Sequence, residues 1–132
     1  DTEEGLLVPV IRNVRGLSLS QLAVESRRLA DEARAGGLIA AEMQGGVFTI
    51  SNLGAFGIDA FTPIINFPEV AILGLGAIRR EAVVLDDGQL APRPQLTLSL
   101  TFDHRIVDGA PAARFLQEVV NAIANPSAWL LA

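Results

Sequence analysis

Apolar and polar residues follow two rhythms along the chain, one with a period near 3.6 and one with a period of two. Between residues 17 and 34 the apolar positions Leu19, Leu22, Leu29, Ala30 and Ala33 fall on one helical face, with Glu25, Arg28, Asp31, Glu32 and Arg34 largely outside it. Ser18 followed three positions on by Gln21 has the form of a capping box, and Leu17 with Leu22 that of a hydrophobic staple. Gly36-Gly37 marks the stop. A second helical pattern starts at Pro111 and runs through Ala113, Phe115, Leu116, Val119, Val120 and Ile123 until Asn125-Pro126 ends it.

The alternating and continuous apolar runs predict strands. Leu6-Leu7-Val8-Pro9-Val10-Ile11 reads as a strand that Pro9 confines to an edge or bulge. Val47-Phe48-Thr49-Ile50-Ser51-Asn52-Leu53 has strong β propensity and opens into a loop containing Gly54 and Gly57. Val70-Ala71-Ile72-Leu73-Gly74-Leu75 reads as a buried strand, with Glu81-Ala82-Val83-Val84-Leu85 as its neighbour and Asp86-Asp87-Gly88 as a turn. From Gln95 to Phe102 the alternation is strict, which predicts a strand with one buried face. The closing Trp129-Leu130-Leu131 is an apolar tail expected to pack against a neighbour.

Composition narrows the choice of function. At 132 residues the chain suits one domain with a hydrophobic core. Half of its residues are apolar although 19% are charged, an apolar surplus that suggests an oligomer. Each apolar run is broken by Pro, Gly, Arg or Asp before it reaches bilayer length, and Asp1-Thr2-Glu3-Glu4 is too acidic for a signal peptide, so no membrane partner is expected. A net charge of -5 with ten scattered arginines argues against nucleic acid. There is no cysteine, which excludes disulfides, thiolate metal sites and a cysteine nucleophile, and which fits the cytoplasm. There is no lysine either, which excludes a Schiff base and any lysine-linked lipoyl or biotin group.

His104 is the single histidine. It follows the strongest strand pattern and precedes Asp108, Gly109 and a helix, a strand-to-helix junction of the kind that often carries catalysis. An imidazole titrates near neutral pH and can take a proton from a thiol or hydroxyl and return it. On the residues alone, a structural histidine is the commoner outcome, Asp108 serves equally well as an N-cap, and Asp103 with Arg105 forms a weak surface ion pair.

Asp103-His104-Arg105-Ile106-Val107-Asp108-Gly109 resembles the Asp-His-Arg-x-x-Asp-Gly signature of the dihydrolipoyl acyltransferase components of 2-oxoacid dehydrogenase complexes. Leu7-Val8-Pro9-Val10-Ile11-Arg12, Gly46-Val47-Phe48-Thr49-Ile50-Ser51-Asn52-Leu53-Gly54, Phe61-Thr62-Pro63-Ile64-Ile65-Asn66 and Pro68-Glu69-Val70-Ala71-Ile72-Leu73-Gly74 resemble the same family in the same order. The resemblance implies an α/β fold, a chloramphenicol acetyltransferase-like mixed sheet flanked by helices, with residues 1–132 forming part of the catalytic domain, shortened at its N-terminus and without lipoyl or peripheral-subunit-binding domains. It implies that His104 deprotonates coenzyme A, that Ser51 stabilises the oxyanion, and that Asp108 supports the histidine.

Coenzyme A is then a substrate, the lipoyl group comes from a separate domain, and no metal is needed. The partners implied are a homotrimer with active sites between subunits, a higher-order core, the lipoyl domain, and the decarboxylase and dihydrolipoyl dehydrogenase components. The compartment implied is the bacterial cytoplasm or the mitochondrial matrix. Ser51 to Gly54 with Phe56-Gly57-Ile58 favours acetyl over succinyl or branched-chain groups. Two other readings stand beside this one. The first is an inert core scaffold. The second is a hydroxyl-accepting antibiotic acetyltransferase, which Asp103 and the match from Thr49 to Gly54 disfavour.

Overall fold

The computed structural model describes residue 2 and residues 5–130, and the chain falls into two units, Asp1–Gly46 and Val47–Ala132. In the first, helix α1 spans Leu19–Arg34. Its start follows from the capping box. The Gln21 N–H donates to Ser18 Oγ at 3.3 Å and the Ser18 N–H donates to Gln21 Oε1 at 2.8 Å, so two otherwise orphaned donors are satisfied reciprocally. Its end follows from Gly36, whose φ of +71° lets the Gly37 and Gly36 N–H groups fold back onto the Glu32 and Ala33 carbonyls at 2.8 and 3.3 Å.

The expected apolar face is partly present. Leu29 is buried and Leu22, Ala30 and Ala33 are half-buried, whereas Leu19 at the first helical position is exposed. Arg28, expected on the outer face, instead gathers Glu25, Glu32 and Glu42 at 2.7, 2.6 and 3.0 Å.

Residues 6–11 do not form the expected strand. A strand needs a ladder, and Pro9 has no N–H to give one. Among the described residues, the one backbone bond of this segment runs from the Val10 N–H to the Glu42 carbonyl at 2.7 Å. Arg12 does the rest of the tethering through its side chain, donating to the carbonyls of Ala41 and Gln44 at 2.9 and 2.7 Å.

The second unit is built on a mixed three-stranded sheet. Strand β1 (Thr49–Asn52) runs parallel to β2 (Ala71–Leu75), and β5 (Leu98–Phe102) runs antiparallel on the other side of β2. The central strand buries two apolar side chains, Ile72 and Leu73, which are 4% and 5% exposed. The carboxyl end of β5 leads into helix α2 (Gly109–Ala124), which packs on β5, and Phe115 of α2 meets Phe48 edge-on with ring centroids 5.7 Å apart. A short helix α3 (Pro126–Leu130) follows; the side chains of the apolar tail from Trp129 to Leu131 lie outside the described residues.

Four expectations are corrected here. The run from Glu81 to Leu85 does not neighbour β2: it belongs to β3 (Arg79–Val84), which pairs with β4 (Leu90–Gln95) in a separate two-stranded sheet closed by the turn at residues 85–89. In that register Pro92 and Pro94 oppose Ala82 and Arg80. Alternate positions point their N–H to the same edge, so both missing donors fall on the free side of the ladder. The expected strand from Gln95 to Phe102 is two strands, because the chain leaves one sheet after Gln95 and enters the other at Leu98, with the Thr97 carbonyl accepting from the Gly76 N–H at 2.9 Å. Nor does β5 bury one face only, since all five residues are half-buried. Helix α2 begins at Gly109 rather than Pro111; a proline in the first turn forfeits no helical hydrogen bond.

Glycine is required where β2 ends. A Cβ on Gly76 would overlap the Asp59 carbonyl oxygen, and one on Gly54 would overlap the carbonyl of Gly76. Gly76→Ala is therefore expected to destabilise the fold by about 1–3 kcal/mol or more, as overpacking against rigid backbone does. Ser18→Ala, which removes the cap of α1, should cost about 1 kcal/mol. Denaturant midpoints of the two variants check both, and an unchanged midpoint for Gly76→Ala would contradict the close approach.

Candidate active site

His104 stands in the turn that joins β5 to α2, and that turn is organised by Asp103. The Asp103 N–H continues the sheet by donating to the Val70 carbonyl at 2.8 Å, and its own carbonyl accepts from Ile106 and Val107, both at 3.0 Å. Its carboxylate accepts the Arg105 N–H at 2.9 Å and holds the Arg105 guanidinium at 2.9 Å through Nε and 2.6 Å through a terminal nitrogen. The Asp103 side chain is 18% exposed and that of Arg105 is 88% exposed, so the guanidinium lies over the carboxylate from the solvent side. The guanidinium, then the Arg105 backbone N–H, push the Asp103 carboxyl down to about 2. The pair anticipated from the sequence is thus a forked bond with a backbone contact beneath it.

The imidazole itself is exposed. It leans on the Phe102 ring, with centroids 5.5 Å apart and planes tilted by 41°. On its other side Nε2 approaches the start of α2, where a Cβ on Gly109 would lie 4.0 Å away. Asp108 occupies the N-cap position of α2 with extended backbone, yet its side chain makes no capping bond, so its carboxylate is exposed and uncommitted to the helix. Among the described residues no hydrogen bond joins Asp108 to His104.

Ser51 lies in β1, half-buried, opposite Gly74 of β2. Among the described residues its hydroxyl has no hydrogen-bond partner. Asn52 ends the strand and its Oδ1 accepts the Gly54 N–H at 2.9 Å, a local turn that starts the following loop. The register separates Ser51 from His104. Gly74 also faces Ser99 in β5, and from Ser99 the strand runs away from the Ser51 end to Phe102, which faces Ala71. Three residues along and two strands across put Phe102 about 14 Å from Ser51 at ordinary sheet spacings, with His104 further on. His104 and Asp108 share one junction of the chain, and Ser51 does not meet them within it.

Sequence reasoning anticipated the Asp103–Arg105 pair but not its fork or the backbone bond beneath it, and it passed over the approach of His104 Nε2 to Gly109. The Asp-His-Arg order hinted at the first; nothing local signalled the second. A cleft of about 600 Å³ in the first unit, lined by Val10, Arg12, Val24, Arg28 and Glu42 among others, includes none of the three candidates. Among the described residues no acidic or histidine cluster could hold a metal ion, and no helix is long and apolar enough to cross a membrane.

Residues 1–131 match the family described as 2-oxoacid dehydrogenases acyltransferase (catalytic domain). The dihydrolipoyllysine-residue acetyltransferase component of the pyruvate dehydrogenase complex of Azotobacter vinelandii is 52% identical over 99% of this chain. Succinyltransferase components of 2-oxoglutarate dehydrogenase complexes match at 48% and 45%. A solved Azotobacter vinelandii dihydrolipoamide acetyltransferase, studied for the role of a serine, a histidine and an asparagine in its catalytic mechanism, superposes with a TM-score of 0.93 at 52% identity over all of this chain and 54% of its own. The cubic core of a pyruvate dehydrogenase multienzyme complex superposes with a TM-score of 0.94 at 51% identity, again over all of this chain and 54% of its own. The chain spans 20% of the Azotobacter component and 29% of its Bacillus subtilis counterpart.

A pH experiment tests the turn. A carboxyl held low stabilises the fold above its ordinary value, near 3.8, and loses that contribution as pH falls towards 2. Melting temperatures measured across that window should fall more steeply for the native protein than for Asp103→Asn, and the two curves should converge at its acid end. Parallel curves would show that the pair contributes nothing to stability.

Proposed function

The chain belongs to the 2-oxoacid dehydrogenase acyltransferase family, matching its catalytic domain over residues 1–131, and from that membership we propose that it transfers an acyl group between dihydrolipoamide and coenzyme A. Both units are then parts of one catalytic domain. His104 removes the proton from the coenzyme A thiol, and the thiolate attacks the thioester carbonyl of acyl-dihydrolipoamide. The Ser51 hydroxyl donates to the resulting oxyanion. Collapse breaks the carbon–sulfur bond to lipoamide, and the departing thiolate takes the proton back from His104. Asp108 orients the imidazole or its substrate and takes no proton.

One observation carries this reading. Ser51 and His104 leave opposite ends of the same sheet, each without a hydrogen-bond partner among the described residues, so a site that uses both needs a second copy of the chain. The Azotobacter enzyme supports the assignment with the same pair of residue types and with an asparagine four positions after its histidine, where this chain has Asp108. An assembly of copies is supported further by the apolar side chains left in solvent, among them Ile64 at 90% and Phe67 at 91% exposure. The cubic core that superposes on the chain supports a trimer within a larger shell. The lipoyl arm and the decarboxylase and dihydrolipoyl dehydrogenase components would then work in trans, in the bacterial cytoplasm or the mitochondrial matrix. Acetyl is the favoured acyl group, on the identity to acetyltransferases and the loop at residues 54–58.

In the assembled protein that carries this chain, His104→Ala should abolish transfer from acetyl-coenzyme A to dihydrolipoamide while the oligomer stays intact. Ser51→Ala should lower kcat about 10²- to 10³-fold, the usual loss for one oxyanion donor. Mixing the two inactive variants during assembly should restore about a quarter of the sites, because each site draws one residue from each neighbour. A mixture that stays dead after subunit exchange is demonstrated would defeat the shared site, and a His104→Ala protein with normal turnover would defeat the mechanism.

A further inference from the structure

Resting on the assignment of Ser51 above, we propose that Arg79 is a positioning residue for the acyl transfer, acting through residues 53–59 on the Ser51 hydroxyl. With no hydrogen bond of its own among the described residues, that hydroxyl takes its place from the backbone that carries it. On one side that place is set by the β1–β2 ladder, which pairs Ser51 with Gly74 and Asn52 with Leu75. On the other it is set by the loop that begins immediately after Asn52.

That loop closes on itself through the Phe56, Gly57 and Ile58 N–H groups, which donate to the Leu53, Gly54 and Leu53 carbonyls, and it is held along the exit of β2 at several further points. Its near end is fixed by the Leu53 N–H on the Leu75 carbonyl at 3.2 Å and by the turn that Asn52 closes on Gly54. Its middle is fixed by the backbone approach of Gly54 to Gly76, which no side chain could enter. Its far end is held by three consecutive groups. The Gly57 carbonyl accepts from the Arg79 guanidinium at 2.9 Å, the Ile58 carbonyl accepts from the Ala77 N–H at 2.8 Å, and the Asp59 carboxylate pairs with Arg79 Nε.

Arg79 is therefore the only side chain among the described residues that hydrogen-bonds or ion-pairs with the far end of the loop. Its two contacts are exposed, at 52% for Arg79 and 64% for Asp59, and an exposed ion pair contributes little to global stability. A pair that stabilises little but restrains the segment next to an oxyanion donor has its effect on geometry. Small displacements of such a donor cost rate steeply. Arg79 also begins β3, so the position of the β3–β4 hairpin and the aim of Ser51 share one guanidinium.

The test is a set of cycles in the assembled protein, read as kcat and KM with acetyl-coenzyme A and dihydrolipoamide. Arg79→Gln should lower kcat about ten- to a hundredfold, with KM for both substrates within about twofold and an unchanged melting temperature. Arg79→Lys, which keeps one donor, should recover part of the loss. Asp59→Asn should reproduce the loss, and the Arg79→Gln, Asp59→Asn double variant should be no worse than either alone. Arg80→Gln, on the neighbouring exposed residue, should be silent. In a Ser51→Ala background, Arg79→Gln should cause no further loss, because its effect passes through that hydroxyl. Full additivity of Arg79→Gln with Ser51→Ala, or a fall in melting temperature that accounts for the lost rate, overturns the proposal and leaves the Ser51 assignment standing. A Ser51→Ala protein with normal kcat overturns both.

Discussion

Strands β1 and β5 run in opposite directions on either side of β2, and the rest of the site depends on that constraint. Hydrogen-bonded neighbours in a sheet cannot slide or turn around, so the registers Ser51 with Gly74 and Phe102 with Ala71 fix which end of the sheet each candidate side chain leaves. Ser51 leaves at one end and His104 at the other. A chain with this topology cannot bring its own His104 to its own Ser51, and any chemistry that needs both is tied to self-association.

The two ends are stabilised by different means. At the His104 end a single residue, Asp103, does most of the ordering. Asp103 extends the ladder to Val70, closes the turn through its carbonyl, and ties Arg105 down through its side chain, while the imidazole rests against Phe102 and stays open to solvent. At the Ser51 end the ordering is done by absent side chains. Gly54 and Gly76 allow two backbones to touch, and the loop beyond them is latched by the Arg79 guanidinium. Backbone and carboxylate bonds of Asp103 order the turn that carries His104, and bare backbone orders the end that carries Ser51. The first is sensitive to acid and the second to added bulk.

The apolar surplus fits the same constraint. The buried apolar side chains among those described are few, Leu29, Pro63, Ile72, Leu73 and Ala112, whereas Val47, Ile64, Ile78 and Phe67 stand between 73% and 91% exposed. Exposed apolar surface on this scale marks a molecule that meets others. A two-stranded hairpin such as β3–β4, with Val84 and Leu90 each 71% exposed, also gains little stability by itself.

The sequence by itself determined the elements whose causes are local. The capping box at Ser18, the stop at Gly36, the turn at residues 86–88, the strand cores at residues 49–52 and 71–75 and the helix after Asp108 were all legible, because caps, turns and periodicity act over a few residues. The ordered motifs also identified His104, Asp108 and Ser51 as candidates. Tertiary structure decided what depends on partners distant in sequence. Residues 6–11 have strand composition but no ladder to join. The run from Gln95 to Phe102 divides because its two halves pair with different strands, and residues 81–85 find β4 rather than β2. Arg28 and Arg79, which look like ordinary surface cations in the sequence, acquire their roles from carboxylates and carbonyls that folding brings to them. The separation of Ser51 from His104 belongs to this second group, since strand direction and register come from the pairing of whole strands and leave no mark on either residue.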